Sequence, residues 1–210
     1  MRTLTSLAAG FALALTLSAC QKPTTAVSAD DLSLGNPKAP VTVIEYASVA
    51  CPHCGDWNNN VFGPFKAKYI DTGKVHYVAR EALTGDPAIA AAGFLTARCA
   101  GKDKYFQVTD AIYQVPAYHE EGDTSAFDPH ATLLAIARGA GMTDAKFEAC
   151  VRDPDARKAI EDRWNRYVTD NKINSTPTFV INGKVYEKGE MSLPEMDQAI
   201  AQAQGGKPAT

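Results

Sequence analysis

The chain is most informative at first for what it lacks. It has no basic run, and its formal net charge is only −3 over 210 residues. That leaves out the electrostatic footprint of a nucleic-acid-binding protein. It shows no internal repeat of the kind that builds solenoids. Its longest apolar run, Leu4 to Leu17, is shorter than the roughly 20 residues a membrane-spanning helix needs. There is no second CxxC and no spaced histidine pair, so the three or four protein ligands of a zinc site are not assembled. His76, His119 and His130 show no ligand spacing and read as solvated or satisfied groups. Neither metal nor cofactor is expected. Low-complexity sequence is confined to a polar stretch after Cys20 and a "QGGKPAT" tail. The acidic "HEEGD" (His119 to Asp123) reads as a solvated loop. What remains is a chain with 45% hydrophobic residues and five cysteines, enough to bury a core and too apolar for disorder.

Compartment decides what the cysteines mean. One positive residue, Arg2, precedes the apolar run, and small residues follow it. This is the layout of a secretory signal peptide over 1–19, set aside from fold reasoning. Leu17-Ser18-Ala19-Cys20 resembles a bacterial lipobox, which implies cleavage before Cys20, acylation of its thiol and a lipid anchor. Ordinary cleavage nearby, with Cys20 incidental, is the alternative. Gln21 after the cysteine suggests outer-membrane sorting. Residues 20–36 read as a tether. An exported protein keeps disulfides, so Cys99 and Cys150 are expected to bridge. Otherwise they are small buried hydrophobes.

The organisation is mixed. "PVTVIEYAS" (Pro40 to Ser48) reads as a buried strand. A helix follows, with Trp57, Val61, Phe65 and Tyr69 at spacings of four, expected to kink or break at Pro64. "KVHYVARE" completes a βαβ unit. Residues 86–173 then read as an inserted all-helical block. Three of its helices open on Asp-Pro, an N-cap followed by proline at the first helical position. "TFVI" and "KVYEK" flank Asn182-Gly183, a strong hairpin signal. A last helix places Leu193, Met196 and Ile200 on one face.

Cys51-Pro52-His53-Cys54 sits at the first strand-to-helix turn. A structural disulfide of this small loop is one reading, and a metal clip lacks its other ligands. The placement favours a third. Unpaired N–H groups and the helix dipole at a helix start favour a thiolate at Cys51. Cys54, one turn later, is within reach to attack a mixed disulfide. Glu45 lies six residues before Cys51 in an otherwise apolar strand. It is either a buried acid serving the site or the exposed face of an edge strand. Trp57 and Tyr46 read as core.

Taken together, the CPHC motif, the "IEYAS" strand before it, the helical insert and "STPTFVING" resemble the thioredoxin fold, and within it the DsbA-like thiol:disulfide oxidoreductases. The resemblance covers nearly the whole chain after the signal segment. It implies an α/β thioredoxin fold (βαβ…ββα) over 37–85 and 174–204, with 86–173 as the inserted helical subdomain. It makes Cys51 the exposed nucleophile and Cys54 the buried resolving partner. His53 is then a tuning residue whose charge and donor capacity favour the thiolate, with Pro52 completing the motif. Pro177 matches the family's cis-proline, and Thr176 before it offers its backbone to an extended substrate, with a hydroxyl able to reach the nucleophile. Glu45 matches a buried acid that relays protons for Cys54.

The activity implied is disulfide donation to thiol-bearing exported proteins by a periplasmic, lipid-anchored monomer. A quinone-coupled DsbB-type membrane partner would re-oxidise it, which an outer-membrane anchor makes awkward. Threonine at position 176, where the best-known oxidases carry valine, favours an isomerase or reductase instead, fed by a membrane reductant. No N-terminal dimerisation domain accompanies it, against the isomerase. A non-catalytic peptide-binding chaperone is the reading of another class. It would survive loss of both Cys51 and Cys54.

Overall fold

The computed structural model describes residues 26–116 and 127–205. The signal segment, Cys20, His119 and the acidic loop lie outside them. A five-stranded sheet organises the chain, in the order β1 (Leu32–Gly35), β3 (Val75–Glu81), β2 (Val41–Ala47), β4 (Thr178–Ile181), β5 (Lys184–Tyr186). β2 (Val41–Ala47) pairs in parallel with β3 (Val75–Glu81), with Val43 opposite Tyr77 and Glu45 opposite Ala79. β4 (Thr178–Ile181) lies antiparallel on the other side of β2, and β5 (Lys184–Tyr186) continues the hairpin. Asn182 and Gly183 turn that hairpin at φ 44° and 87°, the double positive φ of a type I′ turn.

Side chains alternate across a strand, and the two faces of the sheet are covered differently. Val41, Val43, Tyr77, Phe179 and Ile181 pack on Trp57 and Phe65, and on Met196 and Ile200 of α8 (Leu193–Ala203). Ile44, Tyr46, Val78 and Val180 face Ile173, Trp164 and Tyr167. Burial on both faces explains why β2 and β3 read as near-continuous apolar runs. Trp57 and Tyr46 are core, each 1% exposed.

Between β3 and β4 the described elements are α3 (Pro87–Ala100), α4 (Tyr105–Tyr113), α5 (Pro129–Gly139), α6 (Asp144–Val151) and α7 (Pro154–Asp170). The three Asp-Pro starts are true caps. Asp86, Asp128 and Asp153 each accept a backbone N–H of the first turn, which satisfies donors a helix start leaves orphaned. The helical layer has its own core, and that core includes Cys51 and Cys54. Glu81, at the end of β3, locks the two layers together. Its carboxylate pairs with Arg98 of α3 at 2.6 Å and Arg163 of α7 at 2.9 Å.

Two expectations are corrected. The segment expected to be tether as far as residue 36 contains β1 (Leu32–Gly35), antiparallel to β3. Asp31 just before it forms a buried ion pair with Arg80 at 3.0 Å. Pro64 does not break the helix. The backbone stays helical from α1 (Pro52–Trp57) through a π-type turn at Asn58–Phe62, α2 (Gly63–Phe65) and a second π-type turn at Lys66–Ile70. Proline has no N–H to pair, and the wider turn before it relieves the ring's clash with the preceding carbonyls. The π turns also explain the spacing of four. A regular α-helix drifts about 40° over four residues, and widened turns absorb that drift.

Candidate active site

The sheet delivers β2 to residue 47, and residues 48–50 lead straight into Cys51. Cys51 is the N-cap of α1, extended at φ −106° and ψ 121°, with Pro52 first in the helix. Its carbonyl accepts from the N–H groups of Cys54 and Gly55, both at 3.1 Å. The two sulfurs are in unlike places. Cys51 is 7% exposed, and Cys54, behind it, 1%.

Their acidities separate accordingly. The Cys51 thiol is lowered to about 6, first by a hydrogen bond from Cys54 to its sulfur, with burial opposing. Thr176 and the backbone N–H groups of Cys54 and His53 add further hydrogen bonds. Burial pushes the Cys54 thiol well above its ordinary value, and the Cys51 charge adds to the rise. At neutral pH the pair therefore holds one thiolate, on Cys51, and one thiol that donates to it.

Across from Cys51 stands the Thr176–Pro177 peptide, which is cis. The Cys51 thiol lies 3.5 Å from the Thr176 carbonyl oxygen, which accepts from it. Thr176 and Pro177 precede β4, so the sheet itself brings a residue 125 positions away onto the nucleophile. The Thr176 hydroxyl is 2.6 Å from that of Thr84, in the β3–α3 connection. Ser48 ties the same connection to the motif. Its hydroxyl donates to the Thr84 carbonyl at 2.8 Å and accepts from the Ala50 N–H at 3.2 Å.

Glu45 lies on the central strand β2, between β3 and β4, which rules out the edge-strand reading. By alternation it shares a face with Val43, toward Trp57. It is 4% exposed. The Tyr77 hydroxyl donates to its carboxyl. Burial raises Glu45 to about 8 against that hydrogen bond. It is therefore an uncharged acid at neutral pH, electrostatically coupled to both cysteines.

His53 has a partner that the sequence reading did not include. Its imidazole pairs with Glu190, Nδ1 to Oε1 at 2.7 Å, with the side chain 72% exposed, and it also feels the Cys51 charge. That hydrogen bond raises its pKa, and the hydrogen bond it contributes to the Cys51 sulfur comes from its backbone N–H. With Asp56, His53 and Glu190 form an exposed trio whose ligand atoms lie within 4.8 Å of one another. The His53–Glu190 ion pair already accounts for that contact. Cys99 and Cys150 are joined in a disulfide, with Cα atoms 6.3 Å apart, tying α3 to α6. Cys20 lies outside the described residues. Sequence reasoning missed Tyr77, Thr84 and Glu190. Tyr77 was findable from the parallel register of two recognised strands, whereas loop residues such as Thr84 and Glu190 carry no periodic signal.

This geometry agrees with what the chain is similar to. The thioredoxin family pattern matches residues 28–202. The chain belongs to the thioredoxin family. Within it, the chain is 30% identical over 178 residues to the thiol:disulfide interchange protein DsbL of Lelliottia amnigena, covering 78% of this chain and 79% of that one. A Rickettsia felis relative bearing the name protein-disulfide oxidoreductase is 29% identical over 184 residues, 87% of this chain. The chain spans 63% of that relative's length. Among solved structures, Wolbachia pipientis alpha-DsbA1 superposes with a TM-score of 0.74 at 26% identity, over 88% of this chain and 96% of that one. The thioredoxin fold is thus shown, with helices α3 to α7 between β3 and β4 consistent with the helical insertion.

Proposed function

We propose that this thioredoxin-family protein is a thiol:disulfide oxidoreductase that donates a Cys51–Cys54 disulfide to thiol-bearing exported proteins. The observation that supports the reading is the split between the cysteines: a low-pKa sulfur on Cys51, which is buried but for 7% exposure, and a more deeply buried one on Cys54. In the oxidised protein a substrate thiolate attacks Sγ of Cys51. A bond forms between the substrate sulfur and Cys51, the Cys51–Cys54 bond breaks, and Cys54 leaves with the electron pair and takes up a proton. A second substrate thiolate then attacks the first substrate sulfur, and Cys51 departs as a thiolate. The substrate is oxidised and the protein reduced by two electrons. Low pKa makes Cys51 a good leaving group, which suits the releasing step. The Thr176 backbone carbonyl, beside the sulfur, is placed to pair with an extended substrate main chain.

Thr176 supports a second reading, an isomerase or reductase, and magnitudes separate the two. A thiol at about 6, compared with about 7 in thioredoxin, favours the dithiol at pH 7 by about 1 kcal/mol, or about 20 mV. A difference of this size moves the potential by far less than the roughly 150 mV that separates thioredoxin from DsbA, so the acidity of Cys51 alone does not make a donor. A donor needs further stabilisation of the dithiol. The redox equilibrium of the Cys51 peptide in graded glutathione buffers decides the matter. A potential above about −200 mV is expected of a donor. A value at or below thioredoxin's would make the protein a reductant.

The same proposal places the protein in the bacterial periplasm, anchored through a lipid on Cys20. No helix among the described residues is long and apolar enough to cross a membrane, so pelleting with membranes would have to come from elsewhere. The wild type is expected in the membrane fraction and Cys20→Ala in the soluble one. A Cys20→Ala protein that still pellets would refute the anchor. A monomer served by a DsbB-type oxidant completes the proposal, or by a membrane reductant if the potential proves low.

A further inference from the structure

Thr84 belongs to none of the motifs that define the site, yet the fold holds it there from three directions. The Ala82 N–H donates to the Ala47 carbonyl at 2.8 Å, extending the β2–β3 pairing beyond the strand end. The Ser48 hydroxyl donates to the Thr84 carbonyl at 2.8 Å. Gly85 next to it, at φ +74°, lies so close to the motif that a Cβ there would sit 2.0 Å from the Ala50 carbonyl oxygen. Only glycine allows that approach. The backbone of residues 82–85 is thereby fixed against residues 47–50, and the Thr84 hydroxyl meets that of Thr176 at 2.6 Å.

A hydroxyl has one proton to give. If Thr176 donates to Thr84, nothing remains on Thr176 for the Cys51 sulfur. If Thr84 donates, the Thr176 proton is free to turn toward it. While Cys51 is a thiol, its own S–H is satisfied by the Thr176 carbonyl, and either orientation serves. Once Cys51 is a thiolate it needs donors, and only one orientation supplies this one.

We infer that Thr84 is a positioning residue for the thiolate: it donates to the Thr176 hydroxyl and thereby commits the Thr176 proton to the Cys51 sulfur. The relay runs Thr84 to Thr176 to Cys51, each link polarising the next. It rests on Cys51 being the reactive thiolate, as proposed above. The other titratable groups in the field of Cys51 are Cys54 and His53 on α1, Glu45 on β2 and Tyr113 on α4. Thr84 variants leave all of these side chains in place.

The test is the pH dependence of Cys51 alkylation by iodoacetamide in the full-length reduced protein. It is read by mass on the Cys51 peptide, so that other thiols do not contribute. Thr176→Val is expected to move the midpoint up by roughly one pH unit, the loss of a donor to a charged sulfur. Thr84→Val should move it up by roughly 0.2–0.6 unit through the weakened relay. Thr84→Ser, which keeps the hydroxyl, should restore the wild-type profile. In a Thr176→Val background, Thr84→Val should move nothing. An unshifted Thr84→Val profile would overturn the relay, as would a shift of equal size in the Thr176→Val background. Circular dichroism checks the fold, and Thr84→Ala replaces Thr84→Val if the valine protein does not fold. A wild-type midpoint at 8.5 or above, the ordinary thiol value, would instead refute the reactive-thiolate reading itself.

Discussion

Cys51→Ser is expected to abolish disulfide exchange, while Cys54→Ser has no disulfide to donate and can only capture oxidised substrates as mixed disulfides on Cys51. With Cys51 at about 6, about nine-tenths of the reduced protein carries the thiolate at pH 7. A serine hydroxyl forms no disulfide, so the rate should fall by several orders of magnitude, to uncatalysed background. Cys54→Ser keeps the nucleophile. It also keeps a donor behind it, because a hydroxyl in place of the thiol still hydrogen-bonds the sulfur. What it removes is the leaving sulfur of the donor reaction and, in the reducing direction, the thiol that attacks the mixed disulfide, so adducts formed from oxidised substrates should accumulate on Cys51 and be visible by non-reducing electrophoresis. Cys54→Ala separates the two duties. It removes the resolving sulfur and the leading cause of the low Cys51 pKa together, so the alkylation profile should move up from about 6. A Cys54→Ser protein that turns over normally would show that Cys54 is not the partner sulfur of the exchange. Full function in the double serine variant would favour the peptide-holding module.

These expectations rest on residues of unequal legibility. The cysteines and the Thr176-Pro177 pair were readable because they form motifs, and the Asp-Pro helix starts because capping is a local interaction. The hairpin at Asn182-Gly183 was readable for the same reason. β1 was not. "LSLG" is four residues of alternating pattern in a polar stretch, and its strand state comes from pairing with β3 and from the Asp31–Arg80 ion pair. Pro64 misled because proline's effect was judged against a regular α-helix, whereas the local answer is a wider turn. His53 was readable in part. Its charge lies in the field of Cys51, as their proximity in sequence suggested, but the partner that holds the imidazole, Glu190, is 137 positions away. Local chemistry is written locally. Which side chain turns toward which is decided by residues that the sheet brings together from far along the chain.

Glu45→Gln is expected to slow the first exchange step and to stabilise the oxidised protein above neutral pH. Cys54 is a poor leaving group, because burial keeps its thiol pKa high. Its departure needs a proton, and Glu45, uncharged up to about pH 8, is the acid coupled to it. Removing a general acid costs on the order of 10²-fold in rate. The wild-type rate should decline above about pH 8, once corrected for substrate ionisation, as Glu45 loses its proton. The glutamine protein should lack that decline. The stability effect has the opposite sign. Glu45 is raised from 4.5 to about 8, so between those values the folded state retains a proton that the unfolded chain has released. Stability from this group is fully present below 4.5 and is lost as pH rises through 8. Between pH 5 and 9 the loss is at most about 4 kcal/mol, and smaller in the oxidised protein, which lacks the Cys51 charge that adds to the rise. Glutamine keeps a hydrogen-bonding partner for Tyr77 and has no proton to lose, so it should escape the loss. Urea unfolding of both proteins at the two pH values, with Cys51 and Cys54 oxidised so that no thiol there titrates, measures the difference directly. Parallel pH dependences would mean that Glu45 is ionised at neutral pH, and the acid that protonates Cys54 would then have to be sought elsewhere.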